Sequence, residues 1–350
     1  MDNGINTKGL YIYGIIPNYY PAEKYRELDN INVFNISFGK VSAIVSKSSV
    51  IDYRQLGTEP LAKLLVDHQR TIENIMNMGF NAIIPMKLGT FAHNTGAVLK
   101  ILERGYPLIM EVMEKIVNII EIDVVSTWAN FNQVLAQVAV HPKVIEIKSR
   151  IEKSKVRITQ SEQLSVGYLV KQILDEKKAA CEIRIIKALN PFCQSIRPHD
   201  VMNDQMVSNT AYLVNQSQSE LFEKALDTLD LEFGDELNFK MIGPLPCYSF
   251  FTLEVNELHF EEIESARQEL GLSDYTTEKT IKQAYLDHVK IFHPDTNPGN
   301  PSPIIFERIN KAYQVMVDYT RAIKPTSRDD QFSLLPDAIT ENSILVKIRE

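Results

Sequence analysis

The chain has 350 residues, enough for two or three domains, and its 44% hydrophobic and 23% charged composition is that of an ordinary globular protein. A net charge of −8 and a pI near 5.5 argue against binding to the phosphate backbone of nucleic acids. No apolar run is long enough for a membrane span, the first residues show no leader pattern, and Cys181, Cys193 and Cys247 are odd in number and far apart, so the expectation is a cytoplasmic chain with free thiols.

In chain order, residues 10–16 (Leu-Tyr-Ile-Tyr-Gly-Ile-Ile) are rich in aromatic and β-branched side chains and stop at Pro17, which predicts a strand. Residues 34–45 predict a second strand region, broken near Gly39. From Pro60, a good first-turn residue, Leu61, Leu64, Leu65, His68, Ile72, Ile75 and Met76 trace a helical stripe as far as Gly79. His68 falls on that stripe, where a hydrogen-bonded core histidine is expected rather than a ligand. A strand over 80–86, a helix over 97–117 interrupted at Gly105 and Pro107, and a strand over 121–128 follow. Strands alternating with helices predict a sheet covered by helices.

A charged helical stretch over 143–155 leads to a second region of the same kind. It comprises a helix over 167–189, a strand over 209–214, and a helix whose apolar face is Leu221, Phe222, Ala225, Leu226 and Leu229, opened by a capping-box pattern at Ser217 and Glu220. Two strands, 237–242 and 248–255, are separated by Gly243-Pro244-Leu245-Pro246-Cys247, whose prolines exclude a continuous central strand. No Cys-x2-Cys or His-x3-His spacing, Gly-rich phosphate loop or Gly-x-Ser-x-Gly is present, so neither a metal, a cofactor nor an enzymatic centre is expected. His199-Asp200 reads as a turn, since adjacent residues on an extended chain point apart; a hydrolase using His199 or Cys193 is a remote alternative.

The last third has a different pattern. Ile281, Tyr285, Val289 and Phe292 share one face of a helix over 277–292 whose N-cap is Thr276 or Thr277, and Phe306, Ile309, Tyr313 and Met316 share one face of a second helix. Between them stands His293-Pro294-Asp295, followed by a Pro/Asn/Gly stretch that cannot continue a helix. With Leu270-Gly271-Leu272 as the end of a short preceding helix, this layout resembles the J-domain family. The resemblance implies a small all-α helical hairpin that docks on a DnaK-type chaperone through His293, Pro294 and Asp295 and through a basic helix face here represented by Lys282 and Lys290. The chain departs from the family at Leu286 and Asp287, where a basic residue is usual. Residues 259–322 hold seven Lys or Arg against ten Asp or Glu, a net −3, so docking by charge is expected to be weak.

Four earlier segments, taken in order, resemble the GvpL/GvpF family of gas-vesicle proteins: residues 9–15 (Gly-Leu-Tyr-Ile-Tyr-Gly-Ile), 84–91 (Ile-Pro-Met-Lys-Leu-Gly-Thr-Phe), 209–214 (Asn-Thr-Ala-Tyr-Leu-Val) and 243–250 (Gly-Pro-Leu-Pro-Cys-Tyr-Ser-Phe). The resemblance implies an α+β fold with two α/β-sheet domains, the first ferredoxin-like, in a protein needed to assemble the gas vesicle. Its implied partners are the small hydrophobic shell protein and other gas-vesicle accessory proteins, with a DnaK-type chaperone added by the J-like part, and no nucleic acid or membrane. The expected division is 1–152 and 153–258 for the sheet domains, 259–322 for the J-like module and 323–350 for a linker and tail. Two apolar clusters in the tail, 332–335 and 344–346, leave open whether it packs back on the body or meets a partner. An exposed strand edge beside Tyr11, Tyr13, Tyr248 and Phe250 is the expected receptor for the shell protein. The alternative function is a J-type cochaperone serving another client.

Overall fold

A computed structural model of the chain describes residues 8–49, 53, 56–153, 159–257, 259–292, 303–323, 330–341 and 344–349. These fall into two compact units. The first joins the described residues up to 114 with those from 251 onward, and the second spans 115–250.

The first unit opens with β1 (Lys8–Pro17), buried along almost its whole length, as a continuous apolar run demands. A short helix α1 (Ala22–Arg26) with a following 3-10 turn leads to β2 (Phe34–Phe38) and β3 (Val41–Ser49), then helix α2 (Thr58–Asn77), β4 (Ile84–Pro85), β5 (Phe91–Ala92) and helix α3 (Thr95–Ile116). The strand order is β2-β3-β1-β4, with β5 also on β1, and every pairing is antiparallel. A βαββαβ chain with this order is the ferredoxin-like arrangement implied by the resemblance. Gly14 marks where β4 crosses closest, because a Cβ there would lie 2.9 Å from Ile83 Cγ1 and from the Ile84 carbonyl oxygen. Two expectations change. The strand foreseen over 80–86 shrinks to Ile84–Pro85, and α3 runs unbroken through Gly105 and Pro107. Pro107 and Glu103 both lie on the exposed side of the helix, so the carbonyl that loses its N–H partner can turn to water.

The second unit repeats that connectivity. Strand β6 (Ile119–Trp128) is followed by helices α4 (Phe131–Ala139), α5 (Pro142–Lys153) and α6 (Gln160–Leu189), then β7 (Ser195–Pro198), β8 (Met206–Asn215), helix α7 (Ser219–Phe233) and β9 (Leu237–Leu245). The order β7-β8-β6-β9, again all antiparallel, matches the first sheet position for position. Ile120, Ile122 and Val124 from β6, Tyr212 and Val214 from β8, Phe222, Leu226 and Leu229 from α7, and Ile173 and Ile185 from α6 form its core. Tyr212 packs edge-on against Phe222 with ring centroids 5.2 Å apart. The division expected at 152 falls inside this unit, because β6 pairs with β8 and β9 rather than with the first sheet.

Past β9 the residues expected to continue as a strand from 248 instead form a short helix, α8 (Tyr248–Phe251). Strand β10 (Leu253–Glu257) returns to the first unit, where Leu253 bridges Met86 and its carbonyl accepts from the Lys87 N–H at 2.7 Å. Helix α9 (Phe260–Leu270), β11 (Tyr275–Thr276), α10 (Glu278–Phe292) and α11 (Pro303–Ala322) make the helical module, and β12 (Phe332–Ser333), α12 (Pro336–Glu341) and β13 (Ile344–Ile348) form the tail. Thr277 caps α10, its Oγ1 accepting from the Thr280 N–H at 3.1 Å. Helices α10 and α11 run antiparallel: Tyr285 stacks on Tyr313 at 4.2 Å and donates to Asn310 Oδ1 at 2.9 Å. The tail packs back on the body. Its Leu334, Ile339 and Leu345 join Ile263, Ile281, Ile309 and Met316 in one core, β12 pairs with β11, and β13 pairs with β10.

Candidate functional site

In the first unit, Tyr11 and Tyr13 sit on β1, which lies between β3 on one side and β4 and β5 on the other, so neither belongs to an exposed edge. Tyr11 is buried and its hydroxyl lies 2.7 Å from Nδ1 of the equally buried His68; Tyr13 is half-buried and its ring stacks on His68 at 5.7 Å. Phe91 packs edge-on against Tyr11 at 5.1 Å. Burial pushes the Tyr11 hydroxyl above the usual phenol range and the His68 imidazole down to about 4, so near neutral pH both are uncharged partners in a core hydrogen bond. The expectation of an exposed receptor edge at Tyr11 and Tyr13 is therefore corrected to an aromatic core that shapes the centre of the sheet.

The second unit holds a polar cluster that no sequence motif announces. Glu121 lies on β6, on the face opposite Ile120, Ile122 and Val124, and is only 1% exposed. Its carboxylate accepts from the Ser249 N–H at 2.8 Å and from Ser249 Oγ at 2.7 Å, and Ser249 Oγ in turn lies 3.0 Å from His199 Nε2. Burial raises the Glu121 pKa to about 7 against the pull of the two Ser249 hydrogen bonds, with Asp123 adding repulsion and Arg197 opposing it. The same burial, reinforced by Glu121, pushes the Cys247 thiol up to about 12, so that thiol stays protonated and unreactive. Tyr248 is half-buried and Phe250 buried on α8 around this cluster, with the Arg197 guanidinium 5.6 Å from the Phe250 ring. The residues 243–250 thus fold over a buried carboxylate, and Phe250 in particular is core. Cys193, the other nucleophile named as a remote candidate, donates to the Asn190 carbonyl, and its thiol is pushed up by burial.

Beside this cluster runs β9, at the edge of the second sheet. Among the described residues β9 pairs only with β6, and Asn238, Lys240, Met241, Gly243 and Pro244 are exposed along it. Of the four aromatic residues expected beside an exposed strand edge, Tyr248 stands nearest this one, three residues past the end of β9.

In the helical module, Lys282 and Lys290 are exposed on α10 and share its surface with Leu286, which is 40% exposed. Asp287 forms an ion pair with Lys290 at 3.3 Å and accepts from Gln283 at 2.9 Å; these bonds hold its carboxyl below the usual carboxylate range. The positive charge of Lys290 is thus partly met within the helix. His293, Pro294 and Asp295 lie outside the described residues. Among the described residues no cluster of His, Cys, Asp and Glu could hold a metal ion, and no helix is long and apolar enough to cross a membrane.

Residues 9–252 match the family described as gas vesicle synthesis protein GvpL/GvpF. The chain belongs to that family. Gas vesicle protein F of Dolichospermum flosaquae is 23% identical over 248 residues, which are 70% of this chain and 98% of that protein, and its counterpart from Haloferax mediterranei is 22% identical over 71% of this chain and 96% of that protein. Crystal structures of GvpF from Anabaena and from Microcystis aeruginosa superpose with a TM-score of 0.55 each, at 19% and 22% identity, covering 69% of this chain and nearly all of each GvpF chain, so the α+β fold of this GvpL/GvpF member is theirs. Residues 259–323 match the DnaJ domain, and 52 residues are 42% identical to chaperone protein DnaJ 1 of Aquifex aeolicus, 14% of that protein. The GvpF relatives are thus matched almost end to end by the first two thirds of the chain, and the helical module is an addition to that body.

Proposed function

We propose that this protein is a gas-vesicle assembly factor or minor structural component whose two sheet units bind the small hydrophobic shell protein, while the appended J-like module docks a further partner. The observation that carries the reading is the family match over residues 9–252, in a chain whose nine-residue strand β9 lies at a sheet edge with much of its length exposed. A strand edge supplies main-chain hydrogen bonds to an extended apolar segment, and the neighbouring side chains supply selectivity. On this reading β9 with Tyr248 beside its end is the receptor and Phe250 supports it from the core of the same unit, while Tyr11 and Tyr13 serve the packing of the first sheet. The protein acts by binding in the cytoplasm and at the vesicle, and it performs no chemistry of its own.

Deleting the gene in a vesicle-forming cell should abolish or stunt vesicles, and co-purification with the shell protein should fall for Met241→Asp while melting remains unchanged. Normal vesicles in the deletion strain would overturn the reading. Undiminished binding by a folded Met241→Asp variant would move the receptor away from β9. The DnaJ match over 259–323 supports a second reading, a J-type cochaperone that recruits a DnaK-type chaperone through His293, Pro294, Asp295, Lys282 and Lys290 to another client. Normal vesicles in the deletion strain, combined with chaperone stimulation by the purified protein, would favour it.

A further inference from the structure

Successive side chains of a β-strand point to opposite faces, so a single strand can be bonded to two different bodies. Strand β13 does this within the first unit. On one face Leu345, 3% exposed, lies in the core of the helical module, and Lys347 Nζ reaches Asp318 of α11 at 3.5 Å. On the other face Val346 lies against α3, so close to Gly105 that a Cβ there would meet Val346 Cγ1 at 2.9 Å and Val346 Cβ at 3.1 Å. Gly105 is thus the helix position that leaves room for the tail.

The backbone of β13 completes the connection. It pairs with β10 from Leu253↔Ile348 to Glu257↔Ile344, and the Arg349 N–H donates to the Thr252 carbonyl at 2.8 Å. Strand β10 is itself tied to the first sheet unit through Lys87, whose Nζ lies 2.6 Å from Glu254 Oε1 and whose N–H donates to Leu253. Farther along the tail, the Tyr319 hydroxyl of α11 donates to the Ser333 carbonyl at 2.7 Å, and the Leu334 N–H donates to the Asp274 carbonyl at 2.7 Å.

We infer that the tail is a clamp acting in cis, which fastens the J-like module to the ferredoxin-like sheet and α3 as one body. Without it the module would hang on the short connection between β10 and α9. With it, whatever docks on α10 is held at a fixed place relative to the first sheet. The inference stands on the geometry of the tail and does not depend on which partner the module takes.

Hydrogen exchange on the full-length protein tests it, comparing wild type with Gly105→Leu and Val346→Asp. Leu suits a helix, so Gly105→Leu crowds the contact without altering the tail, whereas Val346→Asp alters the tail without touching the helical core. In wild type the amides of β10 and β13 should exchange about as slowly as those of β1. In both variants exchange of these amides should rise by about tenfold or more while α9 to α11 keep their protection, and limited proteolysis should cut between β10 and α9. Rapid exchange of β10 and β13 in the wild type would overturn the inference, as would unchanged protection in both variants. If one variant loses helix by circular dichroism, the other decides.

Discussion

Glu121 accepts two hydrogen bonds from one residue, from the backbone N–H and from the hydroxyl of Ser249, and the pair lies 128 residues apart in sequence. Those two bonds tie β6 to α8, and the carboxyl they bind is one that burial holds near neutrality.

Because the Glu121 pKa is raised in the folded protein, the folded state binds a proton more tightly than the unfolded state. Its contribution to stability is therefore fully present below the ordinary carboxylate value of 4.5 and is lost as pH rises through about 7. Each tenfold difference in proton affinity between the two states corresponds to about 1.4 kcal/mol, so the loss is on the order of 3 kcal/mol. Glu121→Gln keeps an oxygen for Ser249 and removes the charge. The variant should melt at a higher temperature than wild type at pH 8, with the difference shrinking toward pH 5. Parallel melting curves across this range would show that Glu121 is not the group that titrates.

Tyr11→Phe removes the hydroxyl that meets His68 and leaves a buried imidazole nitrogen without its partner. The expected cost is about 1–3 kcal/mol, read as a lowered midpoint in urea. The pH dependence of this unit has the opposite sign to that of Glu121. His68 is held down to about 4, so its contribution is present above 6.5 and is lost as pH falls through 4. His68→Gln should therefore flatten the acid limb of the stability curve, and an unchanged acid limb would refute the assignment.

For the J-like module the expected outcome is weak stimulation of ATP hydrolysis by a DnaK-type chaperone, measured in single turnover. Leu286→Arg with Asp287→Lys should improve docking by about two- to thirtyfold, given roughly 0.2–1 kcal/mol for each of the two exposed ion pairs. The gain also releases Lys290 from Asp287, its partner at 3.3 Å. Robust stimulation by the wild type, abolished by His293→Gln, would show that the native face of α10 suffices.

Cutting the stacked pair between α10 and α11 should loosen the hairpin. Tyr285→Ala removes both the 4.2 Å stack on Tyr313 and the bond to Asn310, and about 2–4 kcal/mol of module stability should go with them. Calorimetry of the full chain would detect this as an earlier transition for the helical module. A single unshifted transition would mean that the stack contributes little.

Much of this architecture is legible residue by residue. The apolar run around Tyr11, the stripe carrying His68, and the two helices whose faces meet at Tyr285 and Tyr313 each announce their element, because period and burial coincide there. Sheet membership is less legible: the alternation in 119–128 marks a strand, yet nothing local says that it pairs with residues 206–215 and 237–245. The same alternation holds a clue to the buried acid, since Glu121 and Asp123 share the face that residues 247–250 later cover. Only the tertiary fold shows that this face is closed. The tail is undecidable from sequence for a similar reason, as apolar residues at 344–346 fit a partner as well as they fit α3 and the helical core.

The first unit is discontinuous in sequence, with the second unit threaded through its middle. A nascent chain leaving the ribosome can finish the residue 115–250 unit while the first sheet still lacks Leu253 and everything that follows it. Strand β13 emerges after both of the surfaces it joins, so the helical module can be fixed in place only once residues 344–348 have been made. Until then the β10 edge and the seat of Val346 at Gly105 stand open to other chains.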